Sequence, residues 1–188
     1  ADDVVALLEA LEIRCVNFVG LSLGGFIGQA LALKHPEVVS SLVLCDTACH
    51  MPPASIWDER IMTAKTSGLE PFSKIMVERW FTEDFRDANP QEIKSVQEMI
   101  RGTSVDGLVG CCHAAKCMNF VDQLKDIEAP TLVIVGEHDP GTPVSAAMVL
   151  HEGIKESEFC IIKNAAHLTN IEKPNQFNSA LIEFLSRR

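Results

Sequence analysis

The segment Thr131-Leu132-Val133-Ile134-Val135-Gly136 offers no charged or strongly polar face anywhere along its length. A strand of that kind must be covered on both sides, which is the condition of a parallel sheet held between layers of helices. The flanking runs fit that plan. Residues 15–20 and 38–45 read as strands ahead of it, and 159–163 as another behind. Helical patterns separate them. Residues 2–11 carry apolar side chains at 4, 7, 8 and 11, the spacing of one helix face, with Asp2 and Asp3 in the first turn where the helix dipole favours acids. The stretch 23–35 is helical and stops at Pro36. Thr142 and Pro143 read as N-cap and first position of a helix running to about Gly153, and 174–188 as a closing amphipathic helix. The expected fold class is α/β, a doubly covered parallel sheet.

The alternation breaks at His50. After Met51-Pro52-Pro53, residues 54–128 contain helical patterns at 55–67, 70–81, 90–101 and 105–118 and no convincing strand. Gly68, residues 82–89 and Gly102 separate them, and Ala129-Pro130 marks the return to the sheet. The expected organisation is a core of residues 1–49 and 129–188 with a helical lid, 50–128, inserted between two strands.

Gly20-Leu21-Ser22-Leu23-Gly24 falls where a predicted strand turns into a predicted helix. That context is the nucleophile elbow of α/β-hydrolases, in which a strained turn exposes the serine Oγ. Gly20 and Gly24 are expected to keep Cβ atoms out of the turn and Gly25 to let the helix pack closely. The backbone N–H of Leu23 is expected to face a developing oxyanion. A serine hydroxyl needs a base, and the base an orienting acid. In this fold they follow in the order Ser, acid, His, each in a loop after a strand. Asp139, in Gly136-Glu137-His138-Asp139, and His167, in Asn164-Ala165-Ala166-His167-Leu168, stand in those places. Asp46 and Glu137 compete for the acid's role. Asp139 is preferred because Pro140-Gly141-Thr142-Pro143 behind it makes a rigid loop. His138 is expected to point away, and His35, His50, His113 and His151 have no evident partner. With serine at 22, chemistry that needs an aspartate nucleophile is excluded.

A net charge of −10 leaves no basic stripe for nucleic acid and no long-range attraction for an anionic substrate. Apolar runs are of strand length, short of the roughly 20 residues of a membrane helix. The seven cysteines (15, 45, 49, 111, 112, 117 and 160) lack zinc-ligand spacing and read as free thiols in a reducing cytoplasm. No metal site and no cofactor are implied. The expected partner is a small molecule, not nucleic acid or membrane. The chain opens on Ala1 rather than Met, so a missing signal peptide says little.

Gly20-Leu21-Ser22-Leu23-Gly24-Gly25-Phe26-Ile27-Gly28-Gln29 resembles the elbow of 3-oxoadipate enol-lactonases. So do Trp57-Asp58-Glu59-Arg60-Ile61, Glu78-Arg79-Trp80-Phe81-Thr82 and Ala166-His167-Leu168-Thr169-Asn170-Ile171-Glu172 with Phe177-Asn178. The likeness implies an α/β-hydrolase with a catalytic triad of Ser22, Asp139 and His167. It would open the enol-lactone of the β-ketoadipate pathway, in bacterial degradation of aromatic compounds. That substrate carries a carboxylate, for which Arg79 beside Trp80 is the first expected anchor, with Arg60 and Arg101 as rivals. The resemblance also implies several strands ahead of the elbow, about a third of such a domain, and a His-Gly loop among them supplying a second oxyanion N–H. On that expectation the chain is the C-terminal part of the fold, with its N-terminal strands and that second donor missing. A general carboxylesterase, a cofactor-free perhydrolase and an inactive or binding relative remain open as alternatives.

Overall fold

The computed structural model describes residues 1–188. Four strands, β1 (Val16–Leu21), β2 (Val39–Cys45), β3 (Thr131–Gly136) and β4 (Glu158–Ile162), form one parallel sheet in the order β1-β2-β3-β4. Every residue of β3 is buried. The pleat sorts its side chains into two cores. Val133 and Val135 join Leu42 and Leu44 of β2 on one face, under Leu31, Ala147 and Leu150. Leu132 and Ile134 join Val43 and Cys45 on the other, under Phe177 and Phe184. Each fully buried side chain of this size contributes about 1.5–3 kcal/mol.

The first face is covered by α1 (Asp2–Ala10), α2 (Leu23–Lys34) and α8 (Val144–Gly153), and the second by α10 (Pro174–Leu185). In α1 the buried stripe differs from the expected one. Ala1, Val4 and Val5 lie on the core and Leu8 is buried, while Leu7 and Leu11 are both 58% exposed. The sets 1, 4, 5, 8 and 4, 7, 8, 11 have the same spacing, so periodicity alone could not choose between them.

Between β2 and β3 the chain forms five helices: α3 (Ala54–Ser67), α4 (Leu69–Trp80), α5 (Glu83–Ala88), α6 (Pro90–Arg101) and α7 (Val105–Cys117). Trp57 and Ile61 of α3 pack with Val109, Cys112 and Ala115 of α7 and reach Phe26 of α2, which seats the insertion on the elbow helix. Phe72, Met76 and Val77 of α4 pack with Val96 and Ile100 of α6 around Phe81. Helix α5 lies in a stretch expected to be a separator. Its six residues are too few to show a period, but Thr82 caps it by accepting from the Phe85 N–H at 3.4 Å, and Glu83 and Asp84 occupy its first turn. A second short helix, α9 (Thr169–Glu172), was also not foreseen. No helix is long and apolar enough to cross a membrane.

Candidate active site

Ser22 links β1 to α2 with φ 53° and ψ −113°, a conformation that costs a non-glycine residue about 1–3 kcal/mol. Its surroundings hold it there. The Ser22 N–H donates to Cys45 O at 2.9 Å, and its carbonyl accepts from Thr47 Oγ1 at 2.8 Å and from the Gly25 N–H at 2.9 Å. A Cβ on Gly20 would run into the Gly24 carbonyl, and one on Gly25 into the Thr47 side chain. Gly24 itself has open space around its Cβ position, so its expected steric role falls to Gly25. Leu23 is the first residue of α2, and its N–H has no partner within the helix.

His167 lies in the loop after β4, and Asp139 in the loop after β3. Both are buried, and His167 Nδ1 is 2.7 Å from Asp139 Oδ2. Three further donors converge on the same carboxylate. The Gly141 and Thr142 N–H groups reach Oδ1 at 2.8 and 3.0 Å, and Thr142 Oγ1 reaches Oδ2 at 2.6 Å. Burial, the largest single influence, pushes the Asp139 pKa up. The bond to His167, that residue's charge and the Thr142 donors outweigh it and hold the carboxyl below its ordinary value. An ionised Asp139 accepts, so Nδ1 carries the imidazole proton and Nε2 is left as an acceptor. Thr142 is therefore part of the acid's cradle and not the helix cap expected of it. Pro143 occupies the N-cap of α8, without a side-chain bond.

The acid's two competitors are engaged elsewhere. Glu137 pairs with Lys163 at 2.7 Å near the surface. Asp46 is fully buried with φ 46°, accepting from the Gly136 N–H at 2.9 Å and from Thr169 Oγ1 at 2.5 Å. Burial raises its pKa to about 7, against the pull of Thr169, His167 and Gly136; the nearby Asp139 charge adds to the rise. An acid raised in the folded state stabilises the fold at low pH, below its unfolded pKa near 4. That contribution is lost as pH climbs to about 7. Asp46→Asn is thus expected to flatten the fall in stability between about pH 4 and 7, by on the order of a few kcal/mol. Urea melts across that range, compared between the two proteins, check it; parallel curves would refute it.

Ser22, His167 and Asp139 line one cavity of about 220 Å³, walled by Trp57, Phe72, Met76 and Trp80 of the inserted helices. The Trp80 ring stacks on the His167 imidazole at 6.1 Å and 29°. Two arginines, Arg60 and Arg79, also line the cavity. Arg60 is half-buried, lies 4.7 Å over the Trp57 ring, and is depressed in pKa first by burial and then by the charge of Arg79. Arg79 is exposed along the rim. Arg101, expected as a rival anchor, does not line the cavity and pairs with Glu70 at 2.9 Å. His138 is exposed. His35 meets Asp2, His50 the Met118 carbonyl and His151 the Ser157 hydroxyl, partners that residue spacing did not reveal. All seven cysteines are free, and no three His, Cys, Asp or Glu side chains converge on a metal position.

A parallel doubly covered sheet, a strained serine between strand and helix, and a buried histidine–aspartate pair facing the same cavity define a hydrolase of the α/β class. The chain belongs to the hydrolase family described as "Serine aminopeptidase, S33", which matches residues 2–174. It is 34% identical to 3-oxoadipate enol-lactonase 2 of Acinetobacter baylyi, over 98% of this chain and 69% of that protein. A RutD protein of Agrobacterium fabrum, named for carbamate hydrolysis, is 30% identical over 98% of this chain and 72% of its own length. The crystal structure of the enol-lactonase from Burkholderia xenovorans superposes with a TM-score of 0.95 at 29% identity, covering 98% of this chain and 70% of that one. The protein is a hydrolase of the ester or lactone kind.

Proposed function

We propose that the protein cleaves a small carboxylated lactone through an acyl-enzyme, with 3-oxoadipate enol-lactone as the favoured substrate. The observation that carries this reading is the cavity itself. It joins Ser22 and His167 to two arginines, Arg60 and Arg79, neither of which is among the ion-paired arginines Arg101, Arg187 and Arg188. The 34% identity to an enol-lactonase supports the same choice.

In this account Ser22 Oγ attacks the lactone carbonyl and its proton passes to His167 Nε2, while Asp139 holds the imidazole in the required tautomer. The Leu23 N–H donates one hydrogen bond to the tetrahedral oxyanion. Collapse breaks the ring C–O bond. The enol oxygen leaves with the proton from His167, and the enol tautomerises to the ketone. Water, giving a proton to His167, attacks the acyl carbon; release of the acid restores Ser22. Residues 50–128 act as the lid over residues 1–49 and 129–188. Trp80 forms an apolar wall, and Arg79 and Arg60 hold the carboxylate. Arg60 is the stronger anchor because its guanidinium is already desolvated against Trp57. A cytoplasmic location fits the seven free thiols.

Turnover of the enol-lactone and of p-nitrophenyl acetate tests the substrate choice. The lactone is expected to show the higher kcat/KM, and fast ester cleavage with an untouched lactone would remove it. Arg60→Met is expected to raise KM for the lactone by about 10–100-fold, the worth of one charged hydrogen bond. It should leave p-nitrophenyl acetate, which has no carboxylate, within about 2-fold. Equal losses on both substrates would contradict the anchoring role.

A further inference from the structure

The histidine loop is hydrogen-bonded to the inserted segment, and one buried carboxylate makes much of that connection. Glu172, in α9, is only 4% exposed. Its Oε2 accepts from the Ala166 N–H at 2.8 Å, immediately before His167. Its Oε1 accepts from the Thr82 N–H at 3.2 Å and from the Thr82 hydroxyl. Thr82 stands 90 positions away, at the junction of α4 and α5. Two backbone bonds run alongside, with the His167 and Leu168 N–H groups both donating to the Trp80 carbonyl at 3.1 Å. Leu168 and Ile171 pack against the Phe81 cluster. So the segment Trp80–Thr82 grips the loop on both sides of the imidazole that Trp80 stacks on.

A carboxylate buried among neutral donors is costly unless each donor is well placed. An apolar side chain in the same space would leave the Ala166 and Thr82 N–H groups without that acceptor. What the carboxylate adds is two acceptor atoms facing two different segments. We propose that Glu172 is a positioning residue, fixing the His167 imidazole relative to the lid through Ala166 on one side and Thr82 on the other. This rests on the assignment of Ser22, Asp139 and His167 as the reactive set. It goes beyond that assignment, because the placement of the base then depends on the seating of Trp80–Thr82, the segment that also carries a cavity wall. Glutamine has one acceptor oxygen where glutamate has two, so Glu172→Gln must leave either Ala166 or Thr82 facing an amide NH2. Thr82→Val removes the hydroxyl from the same connection, and Thr82→Ser keeps it.

The test measures kcat and KM for p-nitrophenyl acetate, together with the rate of Ser22 labelling by a fluorophosphonate. It compares the wild type, Glu172→Gln, Thr82→Val, their double variant and Thr82→Ser. A base displaced by an ångström costs about 100-fold. The expected result is a fall in kcat of about 10–100-fold in Glu172→Gln and Thr82→Val, with KM within about 2-fold and labelling slowed in parallel. The double variant should be no worse than the worse single one, and Thr82→Ser should retain near wild-type kcat. If Glu172→Gln does not melt cooperatively, the comparison of Thr82→Val with Thr82→Ser carries the test alone. A folded Glu172→Gln with unchanged kcat, a rise in KM alone, or losses that add in the double variant would each overturn the role of Glu172. A wild-type protein that is not labelled at Ser22 would instead overturn the reactive set beneath it.

Discussion

Asp139→Asn is expected to lower kcat/KM by about 10⁴-fold while leaving the fold intact. The direction follows from how the carboxylate is held. Oδ1 accepts from two backbone N–H groups, those of Gly141 and Thr142, which no side-chain rearrangement can remove. An asparagine oxygen is therefore drawn to that side, and its NH2 is turned toward Thr142 Oγ1 and His167 Nδ1. An NH2 can only donate, so Nδ1 becomes an acceptor and the imidazole proton moves to Nε2. In that tautomer Nε2 cannot take the proton of Ser22. The expected signature is a collapse of kcat at neutral pH with modest change in KM, and a loss smaller than about 10-fold would be incompatible with the proposed role. Stability carries a second signature. Because Asp139 is held below its ordinary pKa, its contribution is present above the unfolded pKa and is lost as pH falls through the folded one. The Asn variant should lack that acid-side loss.

Gly136→Ala is the second large effect. At the end of β3, a Cβ on Gly136 would collide with the Ala166 carbonyl and crowd that of Ala165. Both neighbours are backbone, so the strain cannot be relieved by rotating a side chain. The Gly136 N–H is also the donor that Asp46 holds. An overpacked site of this kind costs about 3 kcal/mol or more, a fall in Tm of roughly 10 °C for a chain of this size. The loop that gives way carries His167, so residual folded protein should lose activity as well as stability. Thermal unfolding and kcat measured together check this. A variant as stable and active as wild type would show that the close approach is not needed.

The sheet was legible because Thr131–Gly136 is apolar on both faces and the other strands are short, largely apolar runs alternating with helices. That pattern suits a parallel sheet covered on both sides. That Ser22, Asp139 and His167 would meet at one cavity was legible because each follows a strand of that sheet in the chain. The partners of those residues were not. Thr142 resembles a helix cap from its place before Pro143, and only the folded loop turns its hydroxyl onto Asp139. Asp46 reads as a competing acid until Gly136 and Thr169 are seen to occupy it. Glu172 meets Thr82 across 90 positions, a contact between two segments whose local patterns are unrelated. Arg60, Arg79 and Arg101 are alike as sequence, and their roles separate only with burial and ion pairing. Arg60 lies desolvated on Trp57, Arg79 on the rim, and Arg101 against Glu70.

Covalent labelling with a fluorophosphonate, followed by mass mapping of the adduct, tests most directly whether Ser22 is the nucleophile activated by His167. One adduct is expected, on Ser22, and its formation should be abolished in Ser22→Ala. Folded protein that takes up no label, or that is labelled equally well in Ser22→Ala, would contradict it.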